Sequence, residues 1–376
     1  MCEINMNEHD RPEMPEKVEF RLQQVKYEME EEIKTDALVI TYLPNIRYLT
    51  NYSGSAATLF LTSDAIYFVT DDRYEEQVKR QLYKLPNMKV FVTRYPWKLI
   101  TDGVILKDVE TLAFEADRMS YSEVIQLRND LKPLKLKPAV NPVERYTIAK
   151  TPEELEYIKQ SCNTAEKVFE EIKGILKPGM SEKELAAEII YRGRKLGSEG
   201  DAFDVISVSG ERSALVHGQP SNKIIEKGDI VLMDFGCVIN GFVSDITRTV
   251  AVGSANDEQK DLYKLLFEAK EKAIEAVHEG VNGKFVDLTA RNIIEKAGFG
   301  KYFQHSLGHG IGLAEHEMPI ITFRSDEYVV PENSMLAIEP GVYLPNKFGI
   351  RIEDDILVGK KSATHITHAS PELEII

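Results

Sequence analysis

Residues 231–249 constrain the fold of this chain more than any other stretch. Val231-Leu-Met-Asp234-Phe-Gly236 alternates as a strand, Asn240-Gly241 is a strong two-residue hairpin turn, and Phe242-Val-Ser-Asp245-Ile-Thr-Arg-Thr249 returns. With Asn240 and Gly241 at the tip, Ile239 pairs with Phe242, Asp234 faces Thr247, and Asp245 lies diagonal to Asp234 on the same sheet face. Diagonal neighbours sit about 7–8 Å apart, within reach for two carboxylates to converge on one site. Two like charges held there need a cation between them. Solvated aspartates on an outer face are the alternative, and the apolar neighbours fit it poorly.

The last third of the chain supplies further ligands in the same style. His305-Ser-Leu-Gly308-His309-Gly-Ile-Gly-Leu-Ala-Glu-His316-Glu-Met-Pro319 packs three of the eight histidines into twelve residues, with glycines that allow close backbone approach. Met335-Leu-Ala-Ile-Glu339-Pro-Gly341 and Gly349-Ile-Arg-Ile-Glu353-Asp-Asp355 each set a glutamate inside an apolar alternating strand, where an unpaired carboxylate is costly. Four carboxylates and one imidazole, with no thiolate, suit manganese or another divalent ion of the first transition row. Such a site can hold two ions about 3.5–4 Å apart.

Around these motifs the chain reads as two domains. Residues 1–14 read as a loosely ordered polar extension. From 15 to 145, a charged helix (15–34), short strands at 36–42, 58–61, 65–70, 89–92 and 111–114, and helices at 73–82 and 121–131 alternate as in an α/β domain. The run Glu30-Glu-Glu32 reads as a solvated helix face. A second domain runs from 146 to 376. It opens with a capping box, Thr151-Pro-Glu-Glu154, and an apolar stripe through Leu155, Ile158, Cys162, Ala165, Phe169, Ile172 and Leu176. A second capping box, Ser181-Glu-Lys-Glu184, starts the next helix. Helices at 257–278 and 286–296 followed by strands repeat this layout, so the domain reads as two similar halves, each a helix pair plus a hairpin.

Composition excludes several functions. The 46 Lys and Arg against 61 Asp and Glu give a formal charge of −15, which repels phosphate backbones and anionic headgroups and argues against nucleic-acid or membrane-surface binding. The first twenty residues lack the pattern of a signal peptide, and three scattered cysteines, Cys2, Cys162 and Cys237, fit neither a disulfide framework nor a zinc site. The expectation is a cytoplasmic protein with reduced thiols. His9, His278, His365 and His368 lack ligand partners at suggestive spacing and read as surface or packing residues.

The segments Val216-His217-Gly-Gln-Pro-Ser221, Met233-Asp234-Phe-Gly236, Gly241-Phe-Val-Ser-Asp245-Ile-Thr-Arg-Thr249, Gly308-His309-Gly-Ile-Gly-Leu-Ala-Glu-His316-Glu, Ile338-Glu339-Pro-Gly341 and Arg351-Ile-Glu353-Asp-Asp355 resemble, in order and spacing, the motif set of the proline-specific metallopeptidases. That group contains aminopeptidase P, prolidase, creatinase and methionine aminopeptidase. The resemblance implies an α+β pita-bread catalytic domain preceded by a smaller, creatinase-like α/β amino-terminal domain, and a homodimer. It implies metal ligation by Asp234, Asp245, His309, Glu339 and Glu353, with Asp245 and Glu353 bridging two divalent ions, Mn2+ first and Co2+ or Zn2+ as alternatives. Glu339 then doubles as general acid and base. His217 and His316 match the histidines that polarise the scissile carbonyl, His305 one at the substrate gateway, and Arg351 an arginine that bonds a carboxylate ligand or a substrate carbonyl. Val216 stands where proline is common and Cys237 where alanine is usual; neither is an implied ligand.

Asn51-Tyr-Ser-Gly54-Ser-Ala56 and Thr70-Asp-Asp-Arg73-Tyr-Glu-Glu-Gln77 resemble the amino-terminal domain of aminopeptidase P-type members. The resulting expectation is an Xaa-Pro aminopeptidase acting on peptides with proline second. Xaa-Pro dipeptidase (prolidase) is the alternative, and a non-catalytic pita-bread scaffold the more distant one.

Overall fold

The structure, a computed structural model, describes residues 2–4, 6 and 11–376. His9 and five other residues of the expected 1–14 extension lie outside the described residues. The chain divides into two compact units, Met1–Thr147 and Ile148–Ile376.

The first unit contains β1 (Cys2–Glu3), α1 (Glu16–Tyr27), β2 (Ala37–Ile40), α2 (Leu43–Thr50), β3 (Ala57–Thr62), β4 (Ile66–Thr70), α3 (Glu75–Gln81), β5 (Met88–Val92), α4 (Pro96–Thr101), β6 (Thr111–Glu115), α5 (Tyr121–Asp130) and β7 (Lys135–Ala139). Among the described residues these strands form one mixed sheet in the order β1-β5-β4-β3-β2-β6-β7. Part of the expected polar extension is therefore structured, because Cys2 and Glu3 pair with Val92 and Phe91. The expected 15–34 helix is regular only to Tyr27 and then widens into a π turn over Glu28–Glu32, where Glu28 is buried against Arg145 at 2.7 Å and Tyr146 at 2.8 Å. Glu30, Glu31 and Glu32 are exposed, as a solvated face requires. Three elements lack a periodic signal. One is β7, whose sequence Lys-Leu-Lys-Pro-Ala suits only an edge, where proline costs no ladder bond. The others, α2 and α4, are one or two turns long and begin at Leu43-Pro44 and Pro96.

The second unit contains α6 (Pro152–Lys173), α7 (Glu182–Lys195), β8 (Ile206–Ser209), β9 (Ile230–Phe235), β10 (Val238–Ile239), β11 (Phe242–Val243), β12 (Ile246–Ala251), α8 (Asp257–Glu275), α9 (Gly283–Lys296), β13 (Gly308–Gly310), β14 (Glu317–Ile321), β15 (Met335–Ile338), β16 (Gly341–Leu344), β17 (Phe348–Arg351), β18 (Asp354–Val358), β19 (Ala363–His365) and β20 (Glu374–Ile375). Both capping boxes form, from Thr151 with Glu154 and from Ser181 with Glu184. Helices α6 and α7 pack on the sheet β20-β12-β9-β8, and α8 and α9 pack on the second sheet, β14-β13-β15-β18-β19. Each half thus buries its helix pair against its own largely antiparallel sheet, with β20 alone joining in parallel, an α+β layout that brings the other sheet faces to one region. Cys162 is buried in the α6 stripe, and its thiol donates to Asp355 Oδ2 at 3.2 Å.

The hairpin register is Ile239 opposite Phe242 and Thr247 opposite Asp234. The strands are not continuous, however. The ladder breaks at Gly236-Cys237 and Ser244-Asp245, where the backbones approach so closely that a Cβ on Gly236 would lie 1.8 Å from the Ser244 carbonyl oxygen. Ser244 Oγ accepts from Cys237 N at 3.0 Å, and Asp245 N turns away to Asp355 Oδ2 at 3.0 Å. The break is what lets Asp245 leave the pleat and face the other half.

Candidate metal centre and active site

A cavity of about 680 Å³ lies between the two halves of the second unit, and Asp234, Asp245, His309, Glu339 and Glu353 all line it together with His217, His305, His316 and Arg351. Each half contributes from its own elements. Asp234 projects from β9 and Asp245 from the hairpin break; His309 lies in β13, Glu339 just past β15, and Glu353 between β17 and β18. Asp245, His309 and Glu353 converge most tightly, each offering a ligand atom within 4.8 Å of the others.

Hydrogen bonds fix how the ligand atoms are presented. His309 Nδ1 lies 3.1 Å from the Gly310 carbonyl, which makes it the protonated nitrogen and turns the Nε2 lone pair towards Asp245 Oδ2 and Glu339 Oε1, both at 3.8 Å. Glu353 Oε2 accepts from Thr247 Oγ1 at 2.6 Å. Asp234 Oδ2 is bound by the Arg351 guanidinium, while Asp234 Oδ1 is buried with no hydrogen-bond partner among the described residues. Such an orphaned buried oxygen calls for a further partner.

The electrostatics point the same way. Burial raises the carboxyls of Asp245 and Glu353 well above the usual carboxylate range, and neighbouring acids add to it: Glu353 and Asp234 beside Asp245, Glu339 and Asp234 beside Glu353. Burial also lifts Glu339, to about 8, and Asp234, the latter partly offset by Arg351. Burial depresses His309 to about 3, which keeps its imidazole neutral and able to coordinate. A set of mutually repelling buried acids, a neutral imidazole with an inward lone pair and an orphaned carboxylate oxygen fits divalent cations.

Arg351 commits four of its five N–H donors to protein partners. Its Nε binds Thr247 Oγ1 at 3.0 Å, its Nη1 binds Tyr343 Oη at 2.7 Å and the Val216 carbonyl at 3.2 Å, and its Nη2 binds Asp234. Of the two contacts implied for it, the structure contains the one to a carboxylate, that of Asp234. Tyr343, which had no sequence signal, links Arg351 to His305 Nε2 at 3.0 Å. His316 is exposed to the cavity and its ring lies 4.1 Å from that of His309. His217 is exposed at the cavity wall, and Asp204 and Glu315 add two carboxylates to the lining. Asp355 is fully buried, holds Asp245 from behind, and has burial lifting its carboxyl to about 7.

A second group, Glu271, Asp354 and His365, also brings ligand-type atoms together. There the charge is already balanced: Asp354 binds Lys270 and lies 3.0 Å from Arg248, and His365 Nε2 lies 3.3 Å from Glu271.

A two-half α+β unit with a carboxylate-rich cavity between its sheets defines a metal-dependent hydrolase. The chain belongs to metallopeptidase family M24, whose profile matches residues 156–360, and the creatinase/prolidase amino-terminal domain matches residues 21–146. It is 36% identical to an Xaa-Pro dipeptidase of Pyrococcus furiosus over 345 residues, 91% of this chain and 96% of that one. Among solved structures, an Xaa-Pro dipeptidase from Bacillus anthracis is 34% identical with a TM-score of 0.89, covering 96% of this chain and 100% of that one. An X-Pro aminopeptidase from Thermotoga maritima is also 34% identical, with a TM-score of 0.87 and coverage of 94% and 99%. The amino-terminal unit is thus common to relatives of both names. No helix among the described residues is long and apolar enough to cross a membrane.

Proposed function

We propose that this chain is a dinuclear-metal exopeptidase that hydrolyses Xaa-Pro dipeptides. The observation that carries the metallopeptidase reading is the convergence of Asp245, His309 and Glu353, with Asp234 and Glu339 on the same cavity wall. The dipeptidase preference rests on the names of the Pyrococcus and Bacillus relatives and replaces the aminopeptidase expectation drawn from the amino-terminal motifs. The Thermotoga structure is the observation that keeps the aminopeptidase as a second reading.

In this reading Asp234, Asp245, His309, Glu339 and Glu353 hold two divalent ions, manganese being the first choice for an oxygen-rich donor set. Bound there, the ions supply Lewis acidity and make water a competent nucleophile near neutral pH. Glu339, partly open to the cavity and within 4 Å of both His305 and His309, receives the proton from the attacking water and passes it to the leaving amine. His217 and His316 donate hydrogen bonds to the carbonyl oxygen as charge develops on it. His305, tied to Tyr343 and the Ser306 carbonyl, shapes the wall beside Glu339. Asp204 and Glu315 offer negative charge where a free amino terminus is to be bound.

The test is hydrolysis of Xaa-Pro dipeptides and Xaa-Pro-Xaa tripeptides after loading with Mn2+ or Co2+. Metal-dependent cleavage of dipeptides with tripeptides refused supports the proposal, and the reverse preference supports the aminopeptidase. Absence of metal-dependent turnover of either substrate sinks both and leaves a binding scaffold. His316→Ala is expected to slow turnover by about 10²–10³-fold if it serves the oxyanion. Sedimentation velocity checks the homodimer and the cytoplasmic assignment is checked by fractionation.

A further inference from the structure

Glu182 stands in the first turn of α7, where a glutamate ordinarily faces water, yet it is fully buried. Its Oε1 accepts from Ser209 N at 2.8 Å and Ser209 Oγ at 3.1 Å, and its Oε2 accepts from Ser221 N at 2.9 Å and Ser221 Oγ at 2.6 Å. Arg212 Nε lies 3.2 and 3.0 Å from the two oxygens, and Arg212 Nη2 reaches the Gln219 carbonyl at 2.7 Å. Burial would raise this carboxyl, but the donors from Ser221, Ser209 and Arg212 more than offset that and hold it below the usual glutamate range. One carboxylate thus gathers both ends of the 209–221 segment, and the arginine beside it crosses to a third point.

His217 lies near the middle of that segment. Its imidazole makes no hydrogen bond among the described residues, so its place at the cavity wall depends on the backbone that carries it. That backbone is held from the far side too. The Val216 carbonyl accepts from Arg351, Ser213 Oγ accepts from Gly349 N at 2.8 Å, and a Cβ on Gly349 would lie 2.3 Å from the Ser213 carbonyl oxygen.

The other half carries an equivalent device. Asp287 of α9 is fully buried, binds Arg291 at 2.6 and 3.0 Å, and accepts from Leu307 N at 2.9 Å. Arg291 then reaches the Phe303 carbonyl at 3.0 Å and the His305 carbonyl at 2.8 Å. In each half, an acid on the second helix and a neighbouring arginine clasp the irregular segment that presents a cavity histidine.

We propose that Glu182 and Asp287 are positioning residues, Glu182 acting with Arg212 to place His217 and Asp287 acting with Arg291 to place His305. The proposal rests on the reading that these two histidines serve the substrate. Neither acid lines the cavity, so each acts only through its histidine segment.

Crossed double-mutant cycles on the full-length Mn2+-loaded enzyme test it. Misplacing a substrate-contacting group by about 1 Å can cost on the order of 10²-fold, so Glu182→Gln should lower kcat/KM by about 10–100-fold. In a His217→Ala background that loss should shrink to less than about threefold, and in a His305→Ala background it should persist, because coupling is confined to residues acting as one unit. Asp287→Asn should show the mirror pattern. A second readout needs no turnover: the His217 imidazole resonance of the metal-free protein should shift in Glu182→Gln and stay put in Asp287→Asn. Equal losses in both backgrounds, or an unmoved His217 resonance, overturn the proposal and leave two structural acids. If His217→Ala and His305→Ala themselves cost nothing, the reading of the site fails instead. Should either acid variant fail to fold, Arg212→Lys and Arg291→Lys carry the same cycles from the partly exposed side of each clasp.

Discussion

Replacing Arg351 by methionine is the most direct probe of how the cavity balances its charge. The guanidinium is almost wholly buried, holds Asp234 Oδ2, and donates to Thr247 Oγ1, Tyr343 Oη and the Val216 carbonyl. Methionine preserves much of the apolar stem and removes all of these donors. In the metal-free protein the change strips Asp234 of the one cation paired with it among the described residues, and breaking one side of a buried ion pair costs about 3–5 kcal/mol. In the metal-loaded protein, on the proposed ligand set, bound ions would take over as counter-charge to Asp234. What remains is the loss of three hydrogen bonds to neutral acceptors, each worth about 0.5–1.5 kcal/mol net, for a cost of about 1.5–4.5 kcal/mol. The variant should therefore lose more stability in chelator than in saturating Mn2+, by about 1 kcal/mol at the midpoints of these ranges. Urea unfolding followed by far-ultraviolet circular dichroism in both conditions measures the difference. Equal destabilisation in the two would refute the idea that arginine and metal share the task of neutralising Asp234.

Gly236→Ala places a Cβ 1.8 Å from the Ser244 carbonyl oxygen and 2.8 Å from Ala202 Cβ, so the hairpin break must open. A loss of about 1–3 kcal/mol is expected, with weaker metal uptake because Asp245 lies at the same break; unchanged melting would show that the close approach is not needed. Asp355→Ala removes the acceptor for Asp245 N and should weaken metal binding by about 10–100-fold in titration calorimetry, with unchanged affinity counting against its orienting role. The Glu271–His365 pair sets a pH dependence. Its hydrogen bond raises His365 above its ordinary value, so this stabilisation is complete below pH 6.5 and fades as pH rises through the raised value. Glu271, depressed to about 2 chiefly by His365, contributes above pH 4.5 and loses its contribution as pH falls towards 2. His365→Gln should cost on the order of 1 kcal/mol near pH 5.5 and less above pH 8, in thermal melts across that range. A gap that widens with pH would reverse the assignment.

Local chemistry was legible in the sequence because it depends on neighbours a few residues away. The capping boxes at Thr151 and Ser181, the Asn240-Gly241 turn, the facing of Asp234 and Thr247, and the apolar stripe of α6 all follow from short-range pattern. The five proposed ligands and two further cavity histidines, His305 and His316, could be singled out for a related reason: acids inside apolar strands and clustered histidines are costly without a shared purpose, whereas His217 was reached only through the family resemblance.

Only the tertiary structure decided which partners those residues meet. Thr247 binds Glu353, Asp245 binds Asp355 and Arg351 binds Asp234, all across more than 100 residues of chain, and no periodicity encodes such pairs. The hairpin pattern did not disclose its own break, because the contact that closes off Gly236 is made by a backbone oxygen. Glu182 and Asp287 carried no signal at all: in sequence they are an ordinary first-turn glutamate and a helical aspartate. Their meaning comes from being buried beneath segments 27–39 and 20 residues away, where an unpaired charge is forbidden and every donor within reach is drawn to it.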